Sequence, residues 1–160
     1  MERSANAGGG CVPPSRAPRL VIVDDSEPLR RTLSGLLGSL VCGEAENGQQ
    51  AIQRVLELQP DLILLDWSMP VMNGLEAAKA IRKLAPKTKI VVFSLHTENT
   101  IREEALRAGA DVYLNKTSQA DQLLGGIAKL LAPMGLDFSA ALQAGNDGRA
   151  PAPRDTAASS

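Results

Sequence analysis

The sequence predicts an α/β protein in which five parallel strands alternate with five helices. Short apolar segments, typical of strands buried on both faces, recur between longer segments with helical spacing. The predicted strands lie near residues 20–24, 41–46, 61–66, 89–95 and 111–116. Because crossovers between parallel strands are right-handed, this alternation favours a doubly wound sheet with the strand order 2-1-3-4-5.

The helices are predicted from apolar residues that recur every three or four positions. The first three apolar faces consist of Leu29, Leu33, Leu36, Leu37 and Leu40; of Ala51, Ile52, Val55 and Leu56; and of Leu75, Ala78, Ile81 and Leu84. Two further helices are predicted near residues 98–108 and 118–131, and Gly109 ends the first of them. We expect all five faces to pack into the core.

Polar side chains stand at the C-terminal ends of four predicted strands. Asp24 and Asp25 follow the first strand, Asp66 ends the third, Ser94 ends the fourth and Lys116 follows the fifth. In open parallel sheets, ligands bind beyond the carboxyl ends of the strands. The sequence therefore predicts one site that combines carboxylates, a hydroxyl group and an ammonium group.

The clustered acids indicate a metal and phosphoryl chemistry. Three carboxylates at one edge would repel each other and raise each other's pKa unless a cation lies among them. Hard oxygen ligands suit Mg2+, whose coordination is usually completed by waters and phosphate oxygens. A carboxylate such as Asp66 can act as the nucleophile toward a phosphoryl group, while a metal and a lysine stabilise the developing charge.

Simpler roles are open for the same residues. Asp66 could cap the next turn, Ser94 could be a small core residue, and the Asp24-Asp25 pair could cap the first helix. Ser26 is already available as a helix cap, however. Lys116 is the hardest to explain by structure alone, because the helix dipole disfavours a cation just ahead of a helix N-terminus.

The ordered set of motifs resembles the receiver domain of response regulators, the phosphoacceptor half of two-component signalling. The resemblance rests on Asp24-Asp25, the signature Asp66-x-x-Met69-Pro70-x-Met72-x-Gly74, Ser94, and Tyr113-x-x-Lys116. It implies a flavodoxin-like (βα)5 fold, in agreement with the strand order predicted above. One position departs from the family pattern, since Thr117 follows the lysine where the family usually has proline.

The resemblance implies a metal site around the phosphoacceptor. Asp66 would be the phosphorylated residue, and Mg2+ would be the cofactor. Asp25 would bind the metal directly, Asp24 through a water molecule and Ser68 through its backbone carbonyl, with Asp66 completing the set.

The resemblance also implies a switch. Ser94 would bond the phosphoryl group, and Lys116 would pair with one of its oxygens. Ser94 would then be drawn inward, and Tyr113 would change from an outward to an inward rotamer, altering the face made by the fourth helix, fifth strand and fifth helix. Ser68 and His96 lie where the family tunes phosphoryl lifetime. Alternatively, Tyr113 is an ordinary packed aromatic residue and His96 a solvent-facing loop residue.

The predicted function is that of a single-domain response regulator. It would accept phosphate on Asp66 from a sensor histidine kinase or a histidine phosphotransfer protein and signal through protein contacts. Whether phosphorylation also produces a dimer stays open. It would catalyse only its own phosphorylation and dephosphorylation, so it is not expected to be an enzyme. Two alternatives stay open: a vestigial receiver acting as an adaptor, and the receiver of a truncated transcriptional regulator. A haloacid-dehalogenase-like phosphatase would need a second acid where Ser68 stands.

The composition of the chain limits which binding partners and which cellular location are expected. The net charge of −1 implies no general affinity for nucleic acid or for anionic membranes. The chain has no run of 18 apolar residues, and its N-terminus lacks the apolar centre of a signal peptide, so a cytoplasmic location is expected. One histidine and two cysteines do not favour a zinc site.

Both ends of the chain are predicted to be disordered, which assigns the receiver domain to residues 19–132. Residues 1–18 are rich in glycine and proline, and residues 133–160 are rich in Ala, Gly, Pro and Ser and are too short to form a helix-turn-helix domain. The apolar residues in this second tail are Leu136, Phe138 and Leu142. They could form a short docking helix, but a frayed tail is favoured because so short an isolated helix is marginal.

Overall fold

The fold is a parallel five-stranded sheet between two layers of helices, as predicted. The computed structural model describes residues 17–117, 119–136, 138 and 141–142 of the chain. All strand pairs are parallel, and the order is β2-β1-β3-β4-β5. The strands are β1 (Leu20–Val23), β2 (Val41–Ala45), β3 (Leu62–Asp66), β4 (Lys89–Ser94) and β5 (Val112–Asn115). This order confirms the doubly wound, flavodoxin-like class.

Five helices connect and flank the strands. They are α1 (Glu27–Leu37), α2 (Gly48–Leu58), α3 (Gly74–Leu84), α4 (Asn99–Ala108) and α5 (Ala120–Leu131). The side chains of Ser26, Asn47 and Asn73 each accept a backbone N–H and so cap α1, α2 and α3. Gly109 ends α4 with a φ of 122°, which favours glycine. These caps fix where each loop at the carboxyl edge of the sheet gives way to a helix.

Alternate residues of the strands point into two hydrophobic layers. Val21 and Val23 of β1 face the layer made with α2, α3 and α4, whereas Leu20 and Ile22 face the layer made with α1 and α5. Successive helices after β1 and β3 therefore lie on opposite faces of the sheet. The crevice that this reversal opens at the carboxyl ends of β1 and β3 is where the predicted site residues lie.

The segment after α5 belongs in part to the core. Leu136 and Phe138 are buried, with exposures of 7% and 3%, in the layer between α1 and α5. Leu142 is partly buried against the same layer. The frayed tail favoured from the sequence is therefore wrong for these side chains, since packing against α1 and α5 supplies the stability that an isolated short segment lacks. Residues 1–16 and 143–160 lie outside the described residues.

Replacing Phe138 with alanine is expected to destabilise the protein by about 3 kcal/mol, because a buried phenylalanine is exchanged for a cavity. Leu56→Ala is the control, since Leu56 lies on α2 with 53% of its surface exposed, and a change within about 0.5 kcal/mol is expected there. Urea denaturation of both variants measures the difference. Equal, small losses would show that the segment after α5 does not contribute to the core.

Candidate functional site

Three aspartates meet at the carboxyl edge of the sheet. Asp66 is the last residue of β3, and Asp24 and Asp25 directly follow β1, whose Val23 pairs with Leu65 of β3. One carboxylate oxygen from each aspartate lies within 4.8 Å of the others. Asp24 and Asp66 are buried, with exposures of 2% and 5%, and Asp25 is exposed. The predicted convergence of these carboxylates is what the structure shows.

Lys116 places its ammonium group between the two buried carboxylates. Its Nζ lies 2.6 Å from Asp24 Oδ2 and 3.0 Å from Asp66 Oδ1. The Lys116 backbone N–H donates to the Ser94 carbonyl at 2.7 Å, which ties this residue to the end of β4. The side chain is 12% exposed, so both ion pairs are shielded from solvent. The lysine thus partly balances the charge of the acidic cluster.

The surroundings of Asp66 and Lys116 raise the pKa of both residues. For Asp66 this disfavours the charged form, whereas for Lys116 it favours the charged form. Burial, reinforced by the nearby charge of Asp24, raises the pKa of Asp66, although Lys116 opposes the shift. Burial also disfavours the charged form of Lys116, but the hydrogen bond to Asp24 and the charge of Asp66 outweigh it, so the pKa of Lys116 is raised. A cation bound among the three carboxylates would therefore favour the charged form of Asp66.

The raised pKa of Asp66 predicts a pH dependence of stability in the absence of metal. The folded protein holds a proton on Asp66 more tightly than the unfolded chain does, so this contribution to stability is present at low pH and lost as pH rises through the raised pKa. The unfolding midpoint of Asp66→Asn should exceed that of the wild type by an amount that grows from acidic to neutral pH. Thermal unfolding in a chelator measures it, and a gap that shrinks over this range would contradict the assignment.

The donor set fits a magnesium ion. Asp24, Asp25 and Asp66 offer only hard carboxylate oxygens, and the exposed Asp25 keeps one side of the cluster open to solvent. Mg2+ favours one or two carboxylates together with waters and phosphate oxygens, which such an open, acidic cluster allows. Ser68, the predicted carbonyl ligand, lies two residues beyond Asp66 in the loop that follows β3 and is exposed.

The loop between β3 and α3 is folded tightly against the end of β3. Gly74 N–H donates to the Trp67 carbonyl at 2.9 Å, and a Cβ at Gly74 would overlap the Asp66 carbonyl oxygen and lie 2.8 Å from Trp67 Cα. Val71 in the same loop has a left-handed φ of 70°. The glycine of the signature is thus required by a close backbone approach, which holds Asp66 and Ser68 in a fixed relation.

Ser94 and His96 shape the neighbouring loop between β4 and α4. Ser94 is buried, and its Oγ accepts the His96 N–H at 3.1 Å. His96 Nε2 lies 3.1 Å from Ser68 Oγ, and its Nδ1 lies 3.4 Å from Glu98 Oε1. The two residues predicted to tune phosphoryl lifetime are therefore in direct contact, which joins the loops that follow β3 and β4.

Tyr113 points inward. It is 7% exposed, and its hydroxyl donates to the His96 carbonyl at 2.7 Å. Asn115 Nδ2 also donates to this carbonyl, at 3.3 Å, while its Oδ1 accepts the Thr117 N–H at 2.8 Å. Thr117 thus uses a backbone N–H that proline would lack, which gives a physical role to the departure from the family pattern. Sequence reasoning missed Asn115, whose role depends on this contact between β5 and the β4–α4 loop.

Fold and site together define a class of protein: a doubly wound α/β domain with a buried, lysine-bridged acidic cluster at the switch point of the sheet. Among the described residues, no helix is both long and apolar enough to cross a membrane.

The chain belongs to the response regulator receiver domain family, whose model matches residues 20–128. The chemotaxis protein CheY of Thermotoga maritima is 36% identical over 115 residues, which are 70% of this chain and 96% of that protein. The nitrate/nitrite response regulator protein NarL of Escherichia coli is 39% identical over 125 residues, but these are only 57% of its length against 74% of this chain.

Solved structures agree with this membership. The signal receiver domain of the putative response regulator NarL from Mycobacterium tuberculosis is 30% identical and superimposes with a TM-score of 0.67, covering 71% of this chain and 95% of that domain. The family assignment predicted from the acid pair, the Asp66 signature and the lysine motif is thereby confirmed.

Proposed function

We propose that this receiver domain accepts a phosphoryl group on Asp66 and signals through contacts that depend on it. The observation that carries the proposal is the buried Asp66 carboxylate at the end of β3, with the Lys116 ammonium 3.0 Å away and two further carboxylates within 4.8 Å. A nucleophile, a cation and a metal-binding set are thus gathered at one point. The phosphodonor would be a sensor histidine kinase or a histidine phosphotransfer protein.

In the proposed reaction, an Asp66 carboxylate oxygen forms a bond to the phosphorus of the donor's phosphohistidine. The bond between phosphorus and the imidazole nitrogen breaks, and the imidazole leaves with the electron pair. Mg2+ bound by Asp24, Asp25, Asp66 and the Ser68 carbonyl would neutralise negative charge on the phosphoryl oxygens. The Lys116 ammonium group, which now pairs with Asp24 and Asp66, would also pair with one of these phosphoryl oxygens.

The proposed switch involves Ser94 and Tyr113. The Ser94 hydroxyl now accepts the His96 N–H, and turning it toward a phosphoryl oxygen would give up this contact. The His96 carbonyl is also where Tyr113 docks, so the same short loop joins the site to β5. A change of a few kcal/mol between two loop arrangements is enough for such a switch. The altered face would be that of α4, β5 and α5.

Ser68 and His96 are proposed to set the lifetime of the phosphoryl group. Their contact of 3.1 Å joins the loops that follow β3 and β4, and we expect a hydrolytic water to reach Asp66 past this contact. Glu98 on the far side of the imidazole, 3.4 Å from Nδ1, helps to hold the ring in place. Opening this contact would change water access without altering the nucleophile.

The downstream target is proposed to be a cytoplasmic protein, and no direct contact with nucleic acid or membrane is proposed. Self-association through the face made by α4, β5 and α5 would give a phosphorylation-dependent dimer. A second candidate is the receiver part of a transcriptional regulator, which is favoured by the 39% identity to 57% of the length of a longer response regulator. A vestigial adaptor is the third, and the preserved ion pairs of Lys116 argue against it.

The direct test of the proposed function is phosphorylation by a small acyl phosphate in the presence of Mg2+, read by intact mass. The proposal expects the addition of one phosphoryl group per chain, its removal by hydroxylamine as for an acyl phosphate, and no addition in a chelator. A chain that gains no phosphate under any of these conditions would favour the adaptor.

Tyr113→Ala is expected to leave phosphate incorporation close to that of the wild type. It should weaken the conformational change that phosphorylation causes in the face made by α4, β5 and α5. The reason is that Tyr113 contacts the His96 carbonyl and not the acidic cluster. Hydrogen exchange with and without beryllofluoride, a phosphoryl mimic, measures the response, with Tyr113→Phe as the control that keeps the ring. If both the phosphate load and the exchange response are unchanged in Tyr113→Ala, Tyr113 is only a core residue.

A further inference from the structure

Arg30 is a cation placed beside the acidic cluster without neutralising its carboxylates. It lies in α1, and its Nη1 donates to the backbone carbonyl of Asp24 at 2.7 Å. Its Nε donates to Glu44 Oε1 on β2 at 3.2 Å, and the arginine side chain is only 15% exposed. The guanidinium fork therefore joins the first acid of the site to the neighbouring strand.

Glu44 is itself a fixed anchor. Ser34 Oγ on α1 donates to Glu44 Oε2 at 2.8 Å, so both carboxylate oxygens of Glu44 are engaged. The Glu44 backbone carbonyl accepts Arg54 Nε from α2 at 3.0 Å. Glu44, which binds the Arg30 guanidinium group, is thus held in place by contacts from α1 and α2. These contacts restrict the movement of the guanidinium group.

The Asp24 backbone is consequently held on both sides. Its N–H donates to the Ala45 carbonyl at 3.1 Å, and its carbonyl accepts Arg30. This carbonyl belongs to the peptide that joins Asp24 to Asp25, so its orientation determines where both carboxylates point. A small rotation of this peptide would move the metal-binding oxygens of two residues at once.

We propose that Arg30, anchored by Glu44, is a positioning residue that orients the Asp24-Asp25 peptide for Mg2+ binding. The inference rests on the proposed metal site. Electrostatics alone predicts the opposite effect of removing Arg30, because a nearby cation repels Mg2+ and its loss should tighten metal binding. The sign of the change therefore separates positioning from simple charge.

The test is Mg2+ binding by isothermal titration calorimetry to the full chain, at one fixed ionic strength. Arg30→Met keeps the apolar stem and is expected to weaken Mg2+ binding about tenfold, the lower end of the range for residues that support metal ligands. Arg31→Met is the matched control, because Arg31 is the next residue, its side chain is 77% exposed, and it pairs with Glu27 on the surface of α1. It should bind Mg2+ as well as or slightly better than the wild type.

A double variant separates positioning from loss of stability. Arg30→Met leaves Glu44 without its arginine, and Arg30→Met/Glu44→Met removes both members of the pair, so part of any lost stability should return. Mg2+ binding should nevertheless stay weak, since the Asp24 carbonyl still lacks its donor. Recovery of Mg2+ affinity in the double variant, or binding by Arg30→Met as tight as by Arg31→Met, would overturn the proposal while leaving the metal site intact. Absence of Mg2+ binding by the wild type would overturn both the metal site and this inference.

Discussion

We expect Asp66→Ala to abolish phosphate incorporation from an acyl phosphate in the presence of Mg2+, leaving only the signal that is measured without a phosphodonor. In the proposed reaction Asp66 supplies the oxygen that forms the new bond, and no other carboxylate of the cluster is both buried and at the end of β3. Intact-mass measurement after a fixed incubation gives the phosphate load of the variant and the wild type side by side.

Two controls keep this prediction clear. Asp121→Ala removes an exposed carboxylate from the first turn of α5 and should leave the phosphate load unchanged. The fold of Asp66→Ala should survive, because the variant removes a buried charge that Asp24 repels, so its unfolding midpoint at neutral pH without metal should not fall below that of the wild type. An unchanged phosphate load in a folded Asp66→Ala protein would remove Asp66 from the role of phosphoacceptor.

We expect Lys116→Met to slow phosphorylation by about 100-fold, which is typical when one preorganised hydrogen-bond donor is removed from the charge that develops in the transition state. Lys116 is within 3.0 Å of both buried carboxylates, and its raised pKa keeps it charged at neutral pH. Methionine preserves the length and the apolar stem of the side chain but not the charge. The initial rate of phosphate incorporation at saturating Mg2+ measures the effect.

The same variant should bind Mg2+ at least as tightly as the wild type, because a cation has been removed from beside the carboxylates. Lys79→Met, an exposed position on α3, is the control and should change neither quantity. A rate equal to that of the wild type would show that Lys116 serves only to balance buried charge. Loss of Mg2+ binding together with the rate would show that it supports the metal site instead of the phosphoryl group.

The strand order and the acidic edge could be predicted because each depends on local signals. Apolar runs mark the buried strands, and the polar residues that end them must meet at one edge once the sheet is parallel. The family motif then assigned an expected role to each of these residues. The buried Asp24 and Asp66 and the inward Lys116 agree in position with those expectations.

The contacts that the sequence did not predict are those between residues distant in the chain. Arg30 meets Glu44 only because β2 pairs with β1, which places an ordinary helix arginine next to a strand glutamate. Asn115 likewise acquires a role from the β4–α4 loop. Phe138 belongs to no clear periodic pattern in the sequence. It is buried because it packs against the apolar residues of α1 and α5 in the folded protein.

The measurement that tests the central claim most directly is the fluorescence of Trp67 on addition of Mg2+ and then beryllofluoride. Trp67 is the one tryptophan in the chain and adjoins Asp66. A working receiver site predicts a saturable change that requires Mg2+ and is absent from Asp66→Ala. No change, together with no heat of binding in a calorimetric titration of the same ligands, would contradict a phosphoacceptor site and favour a phosphorylation-independent adaptor.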